Sequence, residues 1–270
     1  MNTLAHYARL YRAFLRIGLM QEMSFRGNFL IRVGTELLWF VLVCVFYQVI
    51  YSKTNSIEGW SKFQYLVLVG THFIATGVVE TFFMPGFGDL AEKVRTGKLD
   101  FALAKPVDEQ FLLTMQMMDW ATFTNVIYGL GMIVYSLVQL DGAPSLVACA
   151  VYVVTLLAGV AIFYSLMTML AVTAVWLIRN QHLYEMWFYV NVFARFPPEI
   201  FEGGLGSPLR KVFTFLIPVL VAVAVPAETL SKGLLHPWLT VYSLVSAIVF
   251  LALSRWVFRW ALRHYRSASS

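Results

Sequence analysis

Residues 88–107 read GDLAEKVRTGKLDFALAKPV, a charged stretch inside a chain that is otherwise mostly apolar. It follows an apolar run of membrane length that ends near Met84. The acids and bases of its first half predict a helical turn, and Gly97 predicts the end of that turn. The following Leu-Asp-Phe predicts an extended segment leading to Pro106. Loops between membrane helices need only be short and polar, so we expect this charged block (residues 88–107) to contact another protein.

The composition predicts an integral membrane protein. Of the 270 residues, 59% are hydrophobic and only 13% are charged, whereas an average soluble domain carries about 25% charged residues. The net charge of +5 does not indicate nucleic-acid binding, because the basic residues flank apolar runs instead of forming a stripe. Cys44 and Cys149 both lie in apolar runs, and two isolated cysteines indicate neither a disulfide framework nor a metal site.

Apolar runs of roughly 20 residues can cross about 30 Å of hydrocarbon. By this criterion residues 30–51, 63–84, 120–138, 145–178 and 238–258 are candidate spans. The shorter, interrupted apolar run 184–196 brings the expected fold, an all-α membrane protein, to six spans. The run 145–178 is too long for a simple crossing, so we expect part of it to leave the bilayer or to bend near Gly159. Residues 212–227 carry Pro218 and Pro226, which favours a re-entrant hairpin over a further crossing.

The N-terminal residues 1–26 predict a basic amphipathic helix. Arg9, Arg12 and Arg16 share one face, and Tyr7 and Phe14 lie on the opposite face. Such a helix is expected to lie along the membrane surface. The alternative is a cytosolic helix that packs its apolar face on protein.

The positions of lysine and arginine predict the orientation. With six crossings, fourteen of the 20 basic residues fall on the side of both termini. By the positive-inside rule both termini and the charged block are therefore cytoplasmic. Residues 197–235 then form an outer region, and residues 85–118 a cytoplasmic segment.

The sequence contains no recognisable nucleotide-binding, metal-binding or catalytic motif. Gly97-Lys98 is followed by Leu99, so it does not form a nucleotide-binding Gly-x4-Gly-Lys-Ser/Thr loop. There is no His-Glu-x2-His and no Gly-x-Ser-x-Gly motif, and we therefore expect no catalytic residues and no metal site.

Several charged or polar residues fall inside predicted spans, where they are costly and often functional. We assign Glu36, His72 and Glu80 to a possible substrate pathway. With Asp119 and Glu185, the acids could line an inner vestibule that attracts cationic amphiphiles. The alternative is that each acid pairs with a nearby arginine or reaches the headgroups, and that His72 bonds a neighbouring helix.

The segment from Val94 to Val107 resembles the hallmark of a bacterial branch of type-2 ABC exporter permeases. The stretches FPPEIF (196–201), FLIP (215–218) and VPAE (225–228) resemble the distal region of that branch, and residues 263–270 resemble its C-terminal tail. The resemblance extends over essentially the full chain, read as a single transmembrane domain, residues 1–270.

This resemblance implies a subunit with six spans, an N-terminal elbow helix and a cytoplasmic coupling helix, located in the bacterial plasma membrane. It implies a dimer with a second copy or a related permease, driven by two separate ATPase subunits that bind the ATP and Mg²⁺, with no cofactor on this chain. The implied coupling residues are Asp89, Glu92, Lys93, Arg95, Gly97 and Lys98, with a second contact at Arg179 in the loop 179–182.

Two other classes remain open from the sequence. An ion-gradient-driven secondary transporter would favour internal repeats with paired broken helices, and the two halves show no convincing repeat. The other class is a membrane scaffold that does not transport, or an intramembrane enzyme. An enzyme would need a catalytic pair, and none is visible in the sequence. The sequence does not choose among lipid, glycolipid, drug and peptide as the substrate.

Overall fold

The computed structural model describes residues 3–140, 142–173, 183–204 and 206–265, which are mostly helical. Its α-helices in chain order are α1 Thr3–Ser24, α2 Arg26–Tyr51, α3 Lys62–Phe82, α4 Met84–Arg95, α5 Leu99–Leu103, α6 Glu109–Met115, α7 Thr124–Gln139, α8 Leu146–Val172, α9 Leu183–Val192, α10 Gly206–Lys211, α11 Val219–Ser231 and α12 Pro237–His264. The remaining elements are 3₁₀ turns at Phe193–Arg195 and Pro198–Phe201, a π turn at Val212–Leu216, and an antiparallel hairpin of β1 Ser56–Ile57 with β2 Trp60–Ser61.

Two of the long helices begin at serine caps. The Ser61 hydroxyl accepts from the Gln64 amide, and the Gln64 side chain accepts from the Ser61 amide at 3.0 Å, which together form a capping box. At α8 the Ser145 hydroxyl accepts from the Ala148 amide at 3.1 Å. These side chains satisfy amides that have no partner in the first helical turn, and so fix where α3 and α8 start.

Helix α3 lies at the centre of the bundle and packs against α7, α8 and α11. At the α3–α7 contact, a Cβ on Gly70 would lie 2.9 Å from the carbonyl oxygen of Gly129. A Cβ on Gly129 would in turn lie 2.6 Å from the Gly70 carbonyl oxygen. The two backbones therefore touch, a form of packing that small residues permit between membrane helices.

Helix α2 stands at the edge of the bundle. Tyr47 is its one buried residue among those described, and Leu38, Leu42 and Phe46 are each more than half exposed. An exposed apolar face of this extent requires lipid or another protein chain to cover it.

The described residues contain four helical stretches that are long and apolar enough to cross a membrane. They are Arg26–Tyr51, Lys62–Arg95, Leu146–Val172 and Pro237–His264, and they correspond to four of the six predicted spans. The predicted span 120–138 corresponds to the shorter α7, and the span 184–196 falls on α9 and the 3₁₀ turn after it. The chain is thus an all-α, multi-pass membrane protein, and the count of six spans stays a prediction.

The distal region contains a sharp break. The segments Gly206–Leu216 and Val219–Ser231 meet at 85°, and the pair would supply a fifth span if it crossed as one unit. Every residue from Val219 to Leu230 is buried within the protein. The bend lies beside Pro218, the proline that favoured a hairpin in the sequence.

One local expectation is revised. The segment after Gly97 was expected to be extended, but Leu99–Leu103 is a short α-helix, because Leu99 and Ala102, three residues apart, both face the interior. Helix α8 ends at Val172 and continues unbroken through Gly159, while residues 174–178 of the predicted fourth span lie outside the described residues.

Candidate functional site

The charged block begins on α4, which continues from α3 and packs against α6 and α8. Helices α3 and α4 form one stretch of 34 residues, Lys62–Arg95. At 1.5 Å per residue this stretch is about 51 Å long, which exceeds the roughly 30 Å of a hydrocarbon core. If the apolar part of α3 spans the hydrocarbon core, the charged end of the stretch lies outside that core.

The two ion pairs of α4 differ in their surroundings. Asp89 pairs with Lys93 and also accepts from Gln116 Nε2 at 2.9 Å, and both side chains of this pair are largely covered. Glu92 accepts two hydrogen bonds from Arg95, at 2.8 and 2.6 Å, and more than half of each side chain is exposed. Asp89 and Lys93 thus hold α4 to its neighbour, whereas Glu92 and Arg95 are available to a partner.

The turn after α4 orients the short helix α5. Gly97 has φ +70°, a left-handed conformation that glycine adopts without steric cost, and it ends the helix as predicted. Leu99 and Ala102 are buried, and Phe101 on the other side of α5 is 76% exposed. The neighbouring Lys98 is also exposed, so this corner presents an aromatic ring among charges.

Helix α1 packs on the segment that follows the charged block. The rings of Tyr7, Tyr11 and Phe14 lie 4.9, 6.5 and 6.2 Å from the ring of Phe111 on α6, measured between centroids. The predicted basic face is solvent-facing, since Arg9, Arg12 and Arg16 are exposed. The first half of α1 therefore packs its aromatic face on protein, and its second half exposes Ile17, Leu19, Met20 and Met23.

A second group of polar residues lies inside the bundle, between α3 and α9. His72 Nε2 donates to Asn191 Oδ1 at 2.6 Å, and both residues are 3% exposed. Two turns further along α3, Glu80 Oε1 accepts from the indole nitrogen of Trp187 at 3.0 Å. His72 and Glu80, both candidate residues from the sequence, therefore bond to one face of α9.

Arg195 extends this face beyond the end of α9. It lines one cavity together with Glu80 and Asn191, and a second cavity together with His72. Its guanidinium carbon lies 5.4 Å from the centroid of the Trp39 ring of α2. We refer to His72, Glu80, Trp187, Asn191 and Arg195 as the polar cluster.

The other acids of the predicted vestibule have partners close by. Arg32 forms ion pairs with Asp119 and with Glu22. Glu36 accepts from Asn125 Nδ2 of α7 at 2.9 Å. These contacts tie α2 to α1 and α7, and they follow the pattern expected of acids that pair with neighbouring helices.

Trp187, Asn191 and Arg195 were absent from the residues selected by sequence, although a signal for them exists. They are spaced by four residues, which places them on one helical face. Most of their neighbours are apolar or aromatic, so this stripe of polar side chains is a recognisable pattern inside a span. Arg179 and the loop 179–182, the second predicted contact, lie outside the described residues.

Comparison with protein-family models gives one match. The model described as ABC-2 family transporter protein matches residues 37–269, which include the charged block and the whole polar cluster. Comparison with curated proteins and with solved structures gave no match.

Proposed function

Because the chain belongs to the ABC-2 family of transporter proteins, we propose that it forms the substrate pathway of an exporter. Membership makes it a membrane-embedded permease subunit of an ABC transporter, which works with ATPase subunits. In our proposal two permeases associate in the plasma membrane of a bacterium, and two ATPase subunits bind below them. These partners hold the ATP and Mg²⁺, and this chain contributes no catalytic residue.

The observation that carries the coupling proposal is the exposed corner formed by α4 and α5. Phe101 is 76% exposed, and the exposed Glu92–Arg95 pair lies on the helix before it. Aromatic residues and arginine are enriched at protein interfaces, so this corner fits a groove on an ATPase. Asp89, Lys93 and Gly97 would hold the corner in shape, while Glu92, Arg95, Lys98 and Phe101 would make the contact, with Arg179 as a second contact.

The dimer proposal rests on the edge position of α2. Its apolar residues are exposed along most of its length, and Tyr47 is the only described one that is buried. We propose that a second copy, or a related permease, covers part of this face. The substrate pathway would then run between the two subunits, beside Glu36, His72 and Glu80.

We also propose six crossings with both termini in the cytoplasm, α1 as the elbow helix, and the bent segment 206–231 as a re-entrant hairpin on the outer side. The charge distribution supports this orientation, since it places the charged block and the arginines of α12 together. The burial of α11 supports the hairpin, because non-helical backbone at membrane depth requires protein around it.

The test is affinity purification of the chain from its own cell in mild detergent, with identification of co-purifying proteins and an assay of ATP hydrolysis. We expect a stoichiometric nucleotide-binding partner and vanadate-sensitive ATPase activity. An intact preparation of the single chain without ATPase activity would contradict the proposal and favour an ion-gradient-driven transporter.

Two alanine variants make this test specific. Phe101→Ala should weaken the association by about 2 kcal/mol, or roughly 30-fold, as expected for a central aromatic contact. Phe25→Ala is the matched control, because Phe25 is similarly exposed, at 73%, but lies between α1 and α2. Equal loss of the ATPase from both variants would argue against docking at α5.

A further inference from the structure

A cavity of about 340 Å³ lies between α2, α3 and the 3₁₀ turn Phe193–Arg195. Its size falls within the range of small-molecule sites. Most of its wall is apolar or aromatic, with Trp39, Phe46 and Phe73 among the lining residues. Trp39 and Phe46 are 43% and 55% exposed, so the cavity is open on the side where α2 faces lipid or a second permease.

Arg195 is the one lysine, arginine, aspartate or glutamate among the described residues that line this cavity. No carboxylate of the described residues lies within ion-pair distance of its guanidinium, and its recorded partner is the ring of Trp39. Glu80, the acid of the polar cluster, lines the adjacent cavity together with Arg195 and interacts with it electrostatically, but it lies beyond ion-pair distance and is bonded to Trp187. A cation held among apolar walls is costly unless a counter-charge contacts it directly.

The partner that would satisfy this site is an anion attached to an apolar chain. A carboxylate or phosphate can accept two parallel hydrogen bonds from a guanidinium, and the guanidinium can keep its contact with the tryptophan ring at the same time. The aromatic walls would cover the chain of the same molecule. His72 is engaged by Asn191 and therefore contributes its ring surface to the wall.

We propose that this cavity binds an anionic amphiphile, with its carboxylate or phosphate on Arg195 and its alkyl chain against Trp39, Phe46 and Phe73. The proposal rests on the proposed permease function and names the substrate class for it. It differs from the cationic amphiphile that an acidic vestibule would select, because Asp119, Glu36 and Glu80 each have a partner within the protein.

The experiment is photolabelling of the purified complex in phosphatidylcholine nanodiscs. The probes are palmitic acid that carries a diazirine in its chain and the corresponding alcohol, and labelled peptides are identified by mass spectrometry. We expect the acid to label α2 and residues 192–196 about tenfold more than the alcohol, because a hydrogen bond to a charged group is worth at least one factor of ten. Equal labelling by the two probes in the wild-type complex would overturn the proposal.

Variants identify the residue responsible. Arg195→Gln should remove the preference for the acid, and Arg195→Lys should restore part of it. Arg210→Gln is the matched control, since Arg210 pairs with Glu202 and does not line this cavity. A preference that survives Arg195→Gln would contradict the assignment of the headgroup to Arg195.

Competition on the wild-type complex tests the same site without any variant. Dodecyl phosphate should displace the labelled acid, whereas dodecyltrimethylammonium should not, and the reverse order would overturn the proposal. Inorganic phosphate should compete poorly, since the chain supplies part of the binding, and equal competition would overturn the role of the apolar walls. Labelling is scored on this chain alone, so the two proposals fail separately. If no ATPase is bound but labelling is still selective for the acid, the proposed ATPase coupling is refuted and the binding site is supported.

Discussion

Arg255 Nη1 donates to Asp108 Oδ1 at 3.0 Å, across 147 positions of sequence. The contact joins the last long helix, α12, to the first turn of α6. Asp108 also caps α6 by accepting from the Phe111 amide at 2.9 Å, and its own amide donates to the Tyr7 hydroxyl at 3.0 Å. One aspartate therefore connects α1, α6 and α12 next to the charged block.

Replacement of this aspartate should destabilise the protein. Asp108→Ala removes both the cap and the ion pair, and we expect a loss of about 1–2 kcal/mol in the free energy of unfolding, since a cap alone contributes about 1 kcal/mol. Asp108→Asn keeps a capping oxygen and should cost less. Denaturant unfolding in mixed micelles measures the free energy of unfolding of both variants. Arg263→Gln is the control and should change it little, because Arg263 is an exposed arginine on α12, the helix that carries Arg255.

The ionisation of Asp108 should make the stability of the protein depend on pH. Burial alone would raise the pKa of Asp108, but hydrogen bonds from Arg255 and the Phe111 amide outweigh it, and the pKa lies below its ordinary value of 3.8. A carboxyl with a lowered pKa stabilises the fold above its ordinary value and loses this effect as the pH falls through the folded pKa. The stability gap between wild type and Asp108→Asn should thus be constant above about pH 5 and shrink below pH 3.8. A gap that stays constant in strong acid would contradict this assignment.

A charge swap separates two roles of the Glu92–Arg95 pair. Each single variant, Glu92→Arg or Arg95→Glu, breaks the pair and places like charges together. The double variant Glu92→Arg, Arg95→Glu restores an ion pair with the two charges exchanged, so helix α4 should regain its stability. The charge pattern that a partner protein would contact stays inverted. We expect the double variant to fold normally and to lose ATPase capture. Full recovery of capture in the double variant would mean that the pair only stabilises α4.

Gly97→Ala tests the turn between α4 and α5. Gly97 has φ +70°, where a side chain costs about 1–2 kcal/mol. We expect lower stability of the 88–107 region, read as faster amide exchange in α5, together with weaker ATPase capture. Gly131→Ala on α7 is the control, because a Cβ there meets no atom within 4 Å. Unchanged exchange in α5 after Gly97→Ala would show that the turn tolerates a side chain.

The His72–Asn191 bond should appear as a coupling free energy. A double-mutant cycle of His72→Ala with Asn191→Ala should give about 1 kcal/mol, within the range found for hydrogen bonds between membrane helices. A cycle of His72→Ala with Trp187→Phe should give almost none, because Trp187 bonds Glu80 two turns away along α3. Similar coupling in both cycles would indicate that the cluster responds as a whole to the loss of packing.

Much of the fold follows from local patterns. Apolar runs located α2, α3, α8 and α12, Gly97 marked the end of α4, and Pro218 marked the bend before α11. These features depend on transfer free energy and on backbone conformation, which a single sequence displays directly.

The errors and omissions came from tertiary contacts. Leu-Asp-Phe at 99–101 predicted an extended segment, but Leu99–Leu103 is helical, with Leu99 and Ala102, three residues apart, both buried. Arg195 reads as an outer basic residue beside a proline pair. Its position near His72 depends on how α9 packs against α3, which no local pattern in the sequence specifies.

The junction at Phe83 has a mechanical consequence. Phe83 donates its amide to the Val79 carbonyl at 3.0 Å and accepts from the Phe87 amide at 3.1 Å, so the hydrogen-bond ladder crosses from α3 into α4. Phe83 itself departs from helical geometry, at φ −126°, and Pro85 in the next turn has no amide to donate, so the junction is a continuous but weakened point at which the two helices can bend. Displacement of the exposed corner would then reach the level of His72 partly as bending at Phe83 and partly as movement of α3.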